Sequence, residues 1–161
     1  MNPGIEIREA VENDYEQLCR LAAELDSFHS AALPHIFQPS EGKARERSFF
    51  FPPPDEIQGV TYVAVRGNEL LGFVSVGTKL SAPIPLLVPK KITVVDSLFV
   101  THTARRQGIA KALMAQAVEW AQSVHCSAIE LTVYAFNAYA LQFYKDEGFD
   151  DLSRKMILRI K

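Results

Sequence analysis

The order of hydrophobic patterns along the chain predicts an α/β (α+β) fold, with one mixed, twisted sheet and helices on both of its faces. Two observations lead to this prediction. A strand–helix–strand unit over residues 92–134 indicates parallel pairing with a right-handed crossover. Two β-rich runs at residues 60–65 and 70–77, joined by a turn that contains Gly67, indicate an antiparallel hairpin.

A short strand and a helix precede the hairpin. Residues 5–8 alternate apolar and charged side chains, as a short strand does. Apolar side chains then recur at helical spacing over residues 15–27, which predicts a helix. Asp14 and Gln17 have the spacing of a capping box at its start.

Residues 29–58 are irregular and contain Pro34, Pro39 and three consecutive prolines at 52–54. We expect loop here, with one helix possible over residues 40–50. The prolines at 52–54 and in the linker at 81–91 leave open the alternative of a protein-interaction domain. His29, His35 and the run Phe49-Phe50-Phe51 are candidates for lining an acceptor pocket, although packing roles are the more common outcome for such residues.

The second half of the chain alternates strands and helices. The final strand is apolar and could support a homodimer. In order, the predicted elements are a strand at 92–100, a basic loop at 101–107, a helix at 108–124, a strand at 128–134, a helix at 137–147 ended by Gly148, and a strand at 156–160.

Composition excludes several classes of protein. The 161 residues carry 17 Lys+Arg against 19 Asp+Glu, a balance unlike that of a nucleic-acid binder, and their number predicts a single domain over 1–161. No apolar run has the length of a membrane span. Cys19 and Cys126 form no paired motif, and no cluster of His, Cys and carboxylates has metal-ligand spacing, so we expect a cytoplasmic protein without a metal.

The segment from Arg105 to Lys111 is the most informative part of the sequence, because it joins a strand to a helix N-terminus. Amides in the first helical turn have no intrahelical partner, and the helix dipole adds positive charge there. Gly108 and Ala110 leave room for a ligand, and Arg106 is one of three cations nearby. The segment suits a diphosphate. A basic helix start with no ligand is the alternative.

A second motif follows the strand predicted at 128–134. It contains Asn137, then Ala140, then Phe143-Tyr144 and Gly148-Phe149. Together with Arg105-x-x-Gly108-x-Ala110, it resembles the GNAT superfamily of acyl-CoA-dependent N-acetyltransferases. The resemblance covers residues 92–150 in detail and the order of elements elsewhere.

The resemblance implies a GNAT-like fold, a mostly antiparallel sheet whose one parallel strand pair splays apart to admit acetyl-CoA. The strand end at 98–100 would pair its backbone with the pantetheine arm, the loop at 105–110 would hold the pyrophosphate, and Asn137 would contact the arm or serve as a plain helix N-cap. The implied cofactor-binding residues are Leu98, Phe99, Val100, Arg105, Arg106, Gln107, Gly108, Ile109, Ala110, Lys111, Asn137 and Tyr144.

Two residues are candidates for the chemistry. Tyr144 would return a proton to the departing CoA thiolate, since an ordinary tyrosine stays protonated at neutral pH; packing in the core is its alternative. Asp96 interrupts an apolar strand and would act as the base or hold a water. Its alternatives are to orient the substrate amine or to pair with a lysine such as Lys91.

We therefore expect an N-acetyltransferase that moves an acetyl group from acetyl-CoA to a primary amine by direct attack in a ternary complex. The acceptor would be a small molecule or a peptide, with neither nucleic acid nor membrane as partner. A non-catalytic CoA-binding or sensing module, or an enzyme that acetylates protein N-termini or lysines, remains the alternative.

Overall fold

The computed structural model of the chain describes residues 4–39, 45–53 and 58–160. Two 3₁₀ turns, at Glu12–Asp14 and His102–Ala104, precede α1 and α3. The elements are β1 (Glu6–Glu9), α1 (Tyr15–Ala32), α2 (Arg47–Phe50), β2 (Gly59–Arg66), β3 (Glu69–Leu80), β4 (Lys91–Val100), α3 (Ile109–Ser123), β5 (Ile129–Leu131) and α4 (Ala138–Asp146).

Within these described ranges the strands form one sheet in the order β1-β2-β3-β4-β5. The first three interfaces are antiparallel, and β4 and β5 are parallel neighbours joined through α3. Gly67 turns β2 into β3 with φ at +59°, a conformation that residues with a Cβ rarely adopt. The predicted mixed, mostly antiparallel sheet is confirmed.

Two apolar cores lie on the two faces of the sheet, so helices cover both faces as predicted. On one face α3 contributes the buried side chains of Ile109, Leu113 and Ala117. On the other face α1 contributes Leu18 and Leu21. Phe50 of α2, which is 1% exposed, packs edge-on against the ring of Phe73 of β3 at 5.7 Å and belongs to the second core.

The predicted capping box at the start of α1 is wrong. The Asp14 carboxylate instead forms an ion pair with Arg8 at 2.7 Å, and the hydrogen bonds that Arg8 donates to it lower the Asp14 pKa. The Gln17 side chain accepts the Leu70 amide at 3.1 Å and donates to the Asn68 carbonyl at 2.9 Å. The Asp14 carboxylate also accepts the Val11 amide at 2.8 Å, which caps the preceding 3₁₀ turn, so neither Asp14 nor Gln17 caps α1.

Several boundaries differ from the predicted ones. The first helix continues to Ala32, beyond the predicted end at Ser27. The helix expected at 40–50 is present over Arg47–Phe50, and residues 40–44 lie outside the described ranges. Strand β5 covers Ile129–Leu131 instead of 128–134, because the chain leaves the sheet after its ladder with β4 ends.

The strand predicted at 156–160 is wrong. Residues 150–160 contain neither helix nor strand. The side chains of Met156, Leu158 and Ile160 are 91%, 89% and 93% exposed. An alternating sequence pattern favours a strand, but a strand also needs a neighbouring backbone, and none lies beside this segment within the described part of the chain.

Gly72 of β3 is predicted to be intolerant of any side chain. A Cβ there would lie 2.5 Å from the Phe99 carbonyl oxygen and 3.1 Å from the Val100 Cα. We expect Gly72→Ala to lower the free energy of unfolding by about 1–3 kcal/mol, because backbone atoms cannot move aside without strain. Gly77→Ala on the same strand is the control, since its nearest contacts lie at 3.7 Å. Urea unfolding checks the difference, and equal stability of the two variants contradicts it.

Candidate functional site

Asp96 is the extra residue of a β-bulge in β4. Across the β3–β4 interface Ser75 pairs with Ser97 and Val76 pairs with Val95, so Asp96 has no partner on β3. A bulge bends its strand and increases the local twist. The chain thus changes direction at Asp96.

The parallel ladder between β4 and β5 ends at the same place. Its last pair is Val95 with Leu131, although β4 continues for five residues to Val100. From residue 96 to residue 100 no described strand therefore pairs with the edge of β4 that faces β5. The splayed strand pair that the resemblance implies is present, and the bulge at Asp96 marks where it begins.

The side chains at the end of β4 belong to the two cores. Leu98 and Val100 pack with the α3 core, and Phe99 packs with the α1 core. Their side chains are therefore engaged in packing. The backbone along the unpaired edge is what this strand end can present to a ligand.

The loop between β4 and α3 has an open backbone. Arg106 has φ +60° and Gly108 has φ +78°, and the first α3 hydrogen bond runs from the Ala112 amide to the Gly108 carbonyl at 3.0 Å. The side chain of Gln107 accepts a hydrogen bond from Arg66 at 2.9 Å. Within the described residues, no hydrogen-bond acceptor faces the backbone amides of Arg106, Gly108, Ile109, Ala110 and Lys111.

The three cationic side chains at this loop differ in whether they already have a hydrogen-bond or ion-pair partner. The Arg105 Nε donates to the Val100 carbonyl at 3.1 Å, so its side chain folds back onto the strand end. Lys111 forms an ion pair with Glu147 at 3.2 Å. The Arg106 side chain is exposed and forms no hydrogen bond or ion pair within the described ranges. Arg106 is therefore the cation that is free to meet an anion here.

Asn137 is the N-cap of α4. Its Oδ1 accepts the Ala140 amide at 3.1 Å, which is the structural role that sequence reasoning left open for it. Its Nδ2 donates no hydrogen bond to the described residues. The cap uses only Oδ1, so Nδ2 can donate to a ligand at the same time.

Tyr144 lies half-buried on α4, between the rings of Phe143 at 5.2 Å and Phe149 at 5.5 Å. It packs with the α3 core, beside the cluster that includes Leu98 and Leu131 from the two splayed strands. Burial raises the pKa of Tyr144 to about 12. Its hydroxyl has no hydrogen-bond partner among the described residues. It is therefore available to donate a hydrogen bond to a ligand.

Asp96 also lacks a partner in the described chain. Its Oδ2 lies 3.7 Å from the position that a Cβ on Gly77 would occupy, and burial raises the pKa of its carboxyl. Pairing with Lys91, one of the predicted alternatives, does not occur. The Lys91 Nζ instead donates to the Gln58 Oε1 at 3.1 Å and to the Val124 carbonyl at 3.0 Å.

A cavity of about 540 Å³ lies between the exposed side of α1 and the end of β4. It carries both charges and apolar surface, and it opens beside the folded-back Arg105. The residues that line it are Arg20, Ala23, Glu24, Ser27, Phe28, Phe99, His102 and Arg105.

Aromatic rings connect the end of α1 to the segment between β5 and α4. Phe28 contacts Phe136 at 5.4 Å, and His29 contacts Tyr134 at 5.8 Å and Phe37 at 5.3 Å. We call these five residues the aromatic cluster. Three of its residues precede β4 in the chain, and the other two follow β5.

The tautomer of His29 follows from its hydrogen bond. Its Nδ1 lies 3.0 Å from the Leu25 carbonyl oxygen, which can only accept, so Nδ1 carries the proton. In the neutral ring Nε2 then holds a lone pair. Sequence reasoning singled out His29 but missed Phe28, Phe37, Tyr134 and Phe136, because apolar rings at a helix end and in a loop match core packing equally well.

Within the described residues, no group of three or more His, Cys, Asp or Glu side chains is placed to hold a metal ion. The helices of the described chain include none with the length and apolar character needed to cross a membrane.

Comparisons with known proteins agree with this geometry. A profile of the acetyltransferase (GNAT) family matches residues 22–149. A mutant of the BH1408 protein from Bacillus halodurans superposes with a TM-score of 0.88 at 24% identity, over 97% of this chain and 99% of that one. No curated protein sequence matches the chain significantly.

Two other structures of similar fold contain ligands. The aminoglycoside N-acetyltransferase AAC(6')-Iy in complex with CoA has a TM-score of 0.68 at 17% identity and covers 97% of this chain and 99% of that one. An aminoglycoside acetyltransferase from an uncultured soil metagenomic sample, in complex with sisomicin, has a TM-score of 0.68 at 16% identity, over 98% and 97% of the two chains. At these identities the likeness concerns the fold.

The raised pKa of Tyr144 is directly measurable. At pH about 10, where an ordinary tyrosine is half ionised, we expect the Tyr144 phenol to stay protonated, because burial raises its pKa to about 12. Carbon NMR of labelled tyrosines follows each ring through a pH titration, and Tyr144→Phe identifies the signal. A midpoint at or below pH about 10 contradicts the burial argument.

Proposed function

Because the chain belongs to the acetyltransferase (GNAT) family, we propose that it transfers the acetyl group of acetyl-CoA directly to a primary amine in a ternary complex. One observation carries the proposal. The β4–β5 ladder stops at Val95, and the chain then enters a helix N-terminus whose amides have no acceptor in the described chain. An unpaired strand edge that leads to open amides suits an extended ligand with a diphosphate at one end.

The residues present fit acetyl-CoA. The amides of Arg106 and of residues 108–111 donate to the diphosphate, and the Arg106 guanidinium supplies a compensating charge. The backbone of residues 96–100 that no strand covers hydrogen-bonds the pantetheine arm, as a neighbouring strand would, apart from the Val100 carbonyl that Arg105 already occupies. When bound, acetyl-CoA supplies an activated thioester, so the protein contributes mainly positioning and proton transfer.

Tyr144 is the proposed acid. A phenol with a pKa of about 12 is protonated at neutral pH and can donate to the CoA thiolate as it departs. Its hydroxyl does not have to break a hydrogen bond to another described residue before it donates this proton. Asn137 lies two helical turns earlier on α4, and its free Nδ2 donates to the same arm.

Asp96 is the proposed base, directly or through a held water. An amine must lose a proton to attack, because an ammonium has no lone pair. The residue is exposed overall, but partial desolvation of its carboxyl raises the Asp96 pKa above its ordinary value, which is the direction that favours a base. The bulge supports this role, since it places Asp96 at the point where the strands separate.

The aromatic cluster is the proposed acceptor end of the site. Ring faces attract a cationic amine, and the His29 Nε2 can accept a hydrogen bond from one. Glu24 and the apolar Phe28 line the adjoining cavity. We propose a small-molecule or short-peptide amine as acceptor, in line with the aminoglycosides on which similarly folded enzymes act.

An acetyl-CoA consumption assay over polyamines, aminoglycosides, amino acids and short peptides tests the proposal. With an accepted amine, we expect Tyr144→Phe to lower kcat about 100-fold with little change in CoA affinity, because the phenol acts on the leaving group. Tyr139→Phe on the same helix is the matched control, since that ring is 86% exposed. If Tyr144→Phe keeps the wild-type kcat, Tyr144 is not the acid.

Turnover in this assay and CoA binding together distinguish the function classes. CoA binding without turnover on any amine favours a non-catalytic CoA-binding module. Turnover confined to peptides favours an enzyme that acetylates protein N-termini or lysines. Failure to retain CoA at all favours a protein-interaction domain.

Gly108→Glu tests the loop separately from the chemistry. We expect it to weaken CoA binding at least about 100-fold, because it adds negative charge and bulk among the open amides, at a left-handed φ of +78°. Ala115→Glu adds the same charge on an exposed position of α3 and should leave the affinity unchanged. Calorimetric titration with CoA measures both, and a normal Kd for Gly108→Glu removes the loop from the site.

A further inference from the structure

A row of side chains on α1 lines the cavity beside the end of β4. The row consists of Arg20, Ala23, Glu24, Ser27 and Phe28, which follow one another at the spacing of one helix face. It covers about 12 Å of the helix axis, because each helical residue advances about 1.5 Å. The cavity therefore extends along two turns of α1.

The two ends of this row lie near different parts of the site. Gln17 contacts the β2–β3 turn, and Glu24 accepts the Thr101 hydroxyl at 3.3 Å just after β4 ends. Phe28, at the other end of the row, contacts Phe136 and belongs to the aromatic cluster. The cavity thus leads from the loop after β4 to the aromatic cluster.

The carboxylate of Asp96 lies on the same face of the sheet as the cavity. Phe73 and Gly77 of β3 share the face that α1 covers, because alternate residues of a strand point the same way. The Asp96 Oδ2 lies 3.7 Å from the position that a Cβ on Gly77 would occupy. Tyr144 packs with the α3 core on the opposite face. An acceptor that reaches Asp96 therefore arrives from the side where the cavity lies.

The end of the cavity near the loop after β4 carries positive charge. The guanidiniums of Arg20 and Arg105 stay charged at any ordinary pH, and the His102 ring adds a hydrogen-bonding group. Arg20 forms no hydrogen bond or ion pair with another described residue, and Arg105 uses only its Nε in hydrogen bonding. Arginine forks bind carboxylates, whereas their charge repels a polycation such as a polyamine or an aminoglycoside.

We propose that the acceptor amine carries a carboxylate at its far end, as a short peptide with a free C-terminus or an ω-amino acid does. This inference rests on the proposed function and narrows its acceptor. The amine meets Asp96 beside the aromatic cluster, and the carboxylate binds Arg20 and Arg105. An extended di- or tripeptide spans about 7–10 Å, which fits within the length of the row. Between the two ends, Ser27 and Glu24 offer a hydroxyl and a carboxylate to the peptide bonds.

The carboxylate takes no part in the chemistry. The thioester C–S bond breaks, an amide bond forms at the amine, and one amine proton leaves in net with the CoA thiol. Binding the far end of the acceptor holds the amine in position for attack, which is where such an enzyme gains most of its rate. The positive end of the cavity thus determines specificity.

Matched acceptors that differ only in the carboxylate test the inference, with acetyl-CoA and the intact protein. One pair is the tripeptide Ala-Phe-Ala and its C-terminal amide, and the other is ε-aminocaproate and hexylamine. We expect kcat/KM to be at least about tenfold higher for the acid in one pair or in both, because its partner compound loses charged hydrogen bonds to arginine. The pair that shows the preference identifies a peptide or an ω-amino acid as the acceptor.

Arg20→Gln tests the residue that makes the distinction. We expect it to raise the KM of the preferred acid at least about tenfold with kcat retained, and to remove the preference over the uncharged partner. It should leave the protein folded, since Arg20 is exposed. Arg20→Lys keeps the charge without the fork and should retain part of the preference. Lys145→Gln removes an exposed cation outside the cavity and should keep the wild-type ratio.

The failure of this inference is distinguishable from the failure of the proposed function. Equal kcat/KM for the acids and their uncharged partners overturns the inference while amines are still acetylated. A preference for polyamines or aminoglycosides overturns it too, as does an acid preference that is unchanged in Arg20→Gln. Absence of turnover with every amine overturns the proposed function, and the inference with it.

Discussion

Beyond Val95 the two parallel strands stop sharing hydrogen bonds, and the rest of the candidate site depends on that separation. The bulge at Asp96 occurs at the same position, so a local change in backbone geometry coincides with the loss of the ladder. An unpaired edge inside a sheet has a cost unless something satisfies its amides and carbonyls. In the proposed function, the pantetheine arm of acetyl-CoA takes the place of the missing strand.

The elements around the separated strands are held by contacts that reach across the fold. Arg105 ties the loop to the Val100 carbonyl at the strand end, and Lys111 pairs with Glu147 to link α3 to α4. The ion pair between Lys111 and Glu147 contributes little to stability, because the lysine side chain is largely exposed. The left-handed φ of Arg106 is a conformation that non-glycine residues keep only where surrounding structure imposes it. The loop that presents open amides is thus constrained by its surroundings.

Much of the fold could be predicted because its patterns are local. Periodicities of two and 3.6 residues placed β2, β3, β4, α3 and α4 close to their observed bounds, whereas β5 is shorter than predicted. Parts of the candidate site were predictable for the same reason, since a glycine at the start of α3 and an asparagine at the start of α4 are cap residues. Their partners were not predictable. Lys111 meets Glu147 and Lys91 meets Gln58 and Val124, contacts that only the packed chain brings about.

The sequence by itself determined the order of elements, the mixed sheet, the two strand-to-helix motifs and the family that they indicate, because each depends on residues close together in the chain. Tertiary structure decided where the β4–β5 ladder ends, which cation stays unpaired, and that Phe28 and His29 meet rings beyond β5. It also left residues 156–160 without a neighbour, although their alternation favours a strand. Strand pairing and ring contacts join residues distant in the chain, so no local pattern specifies them.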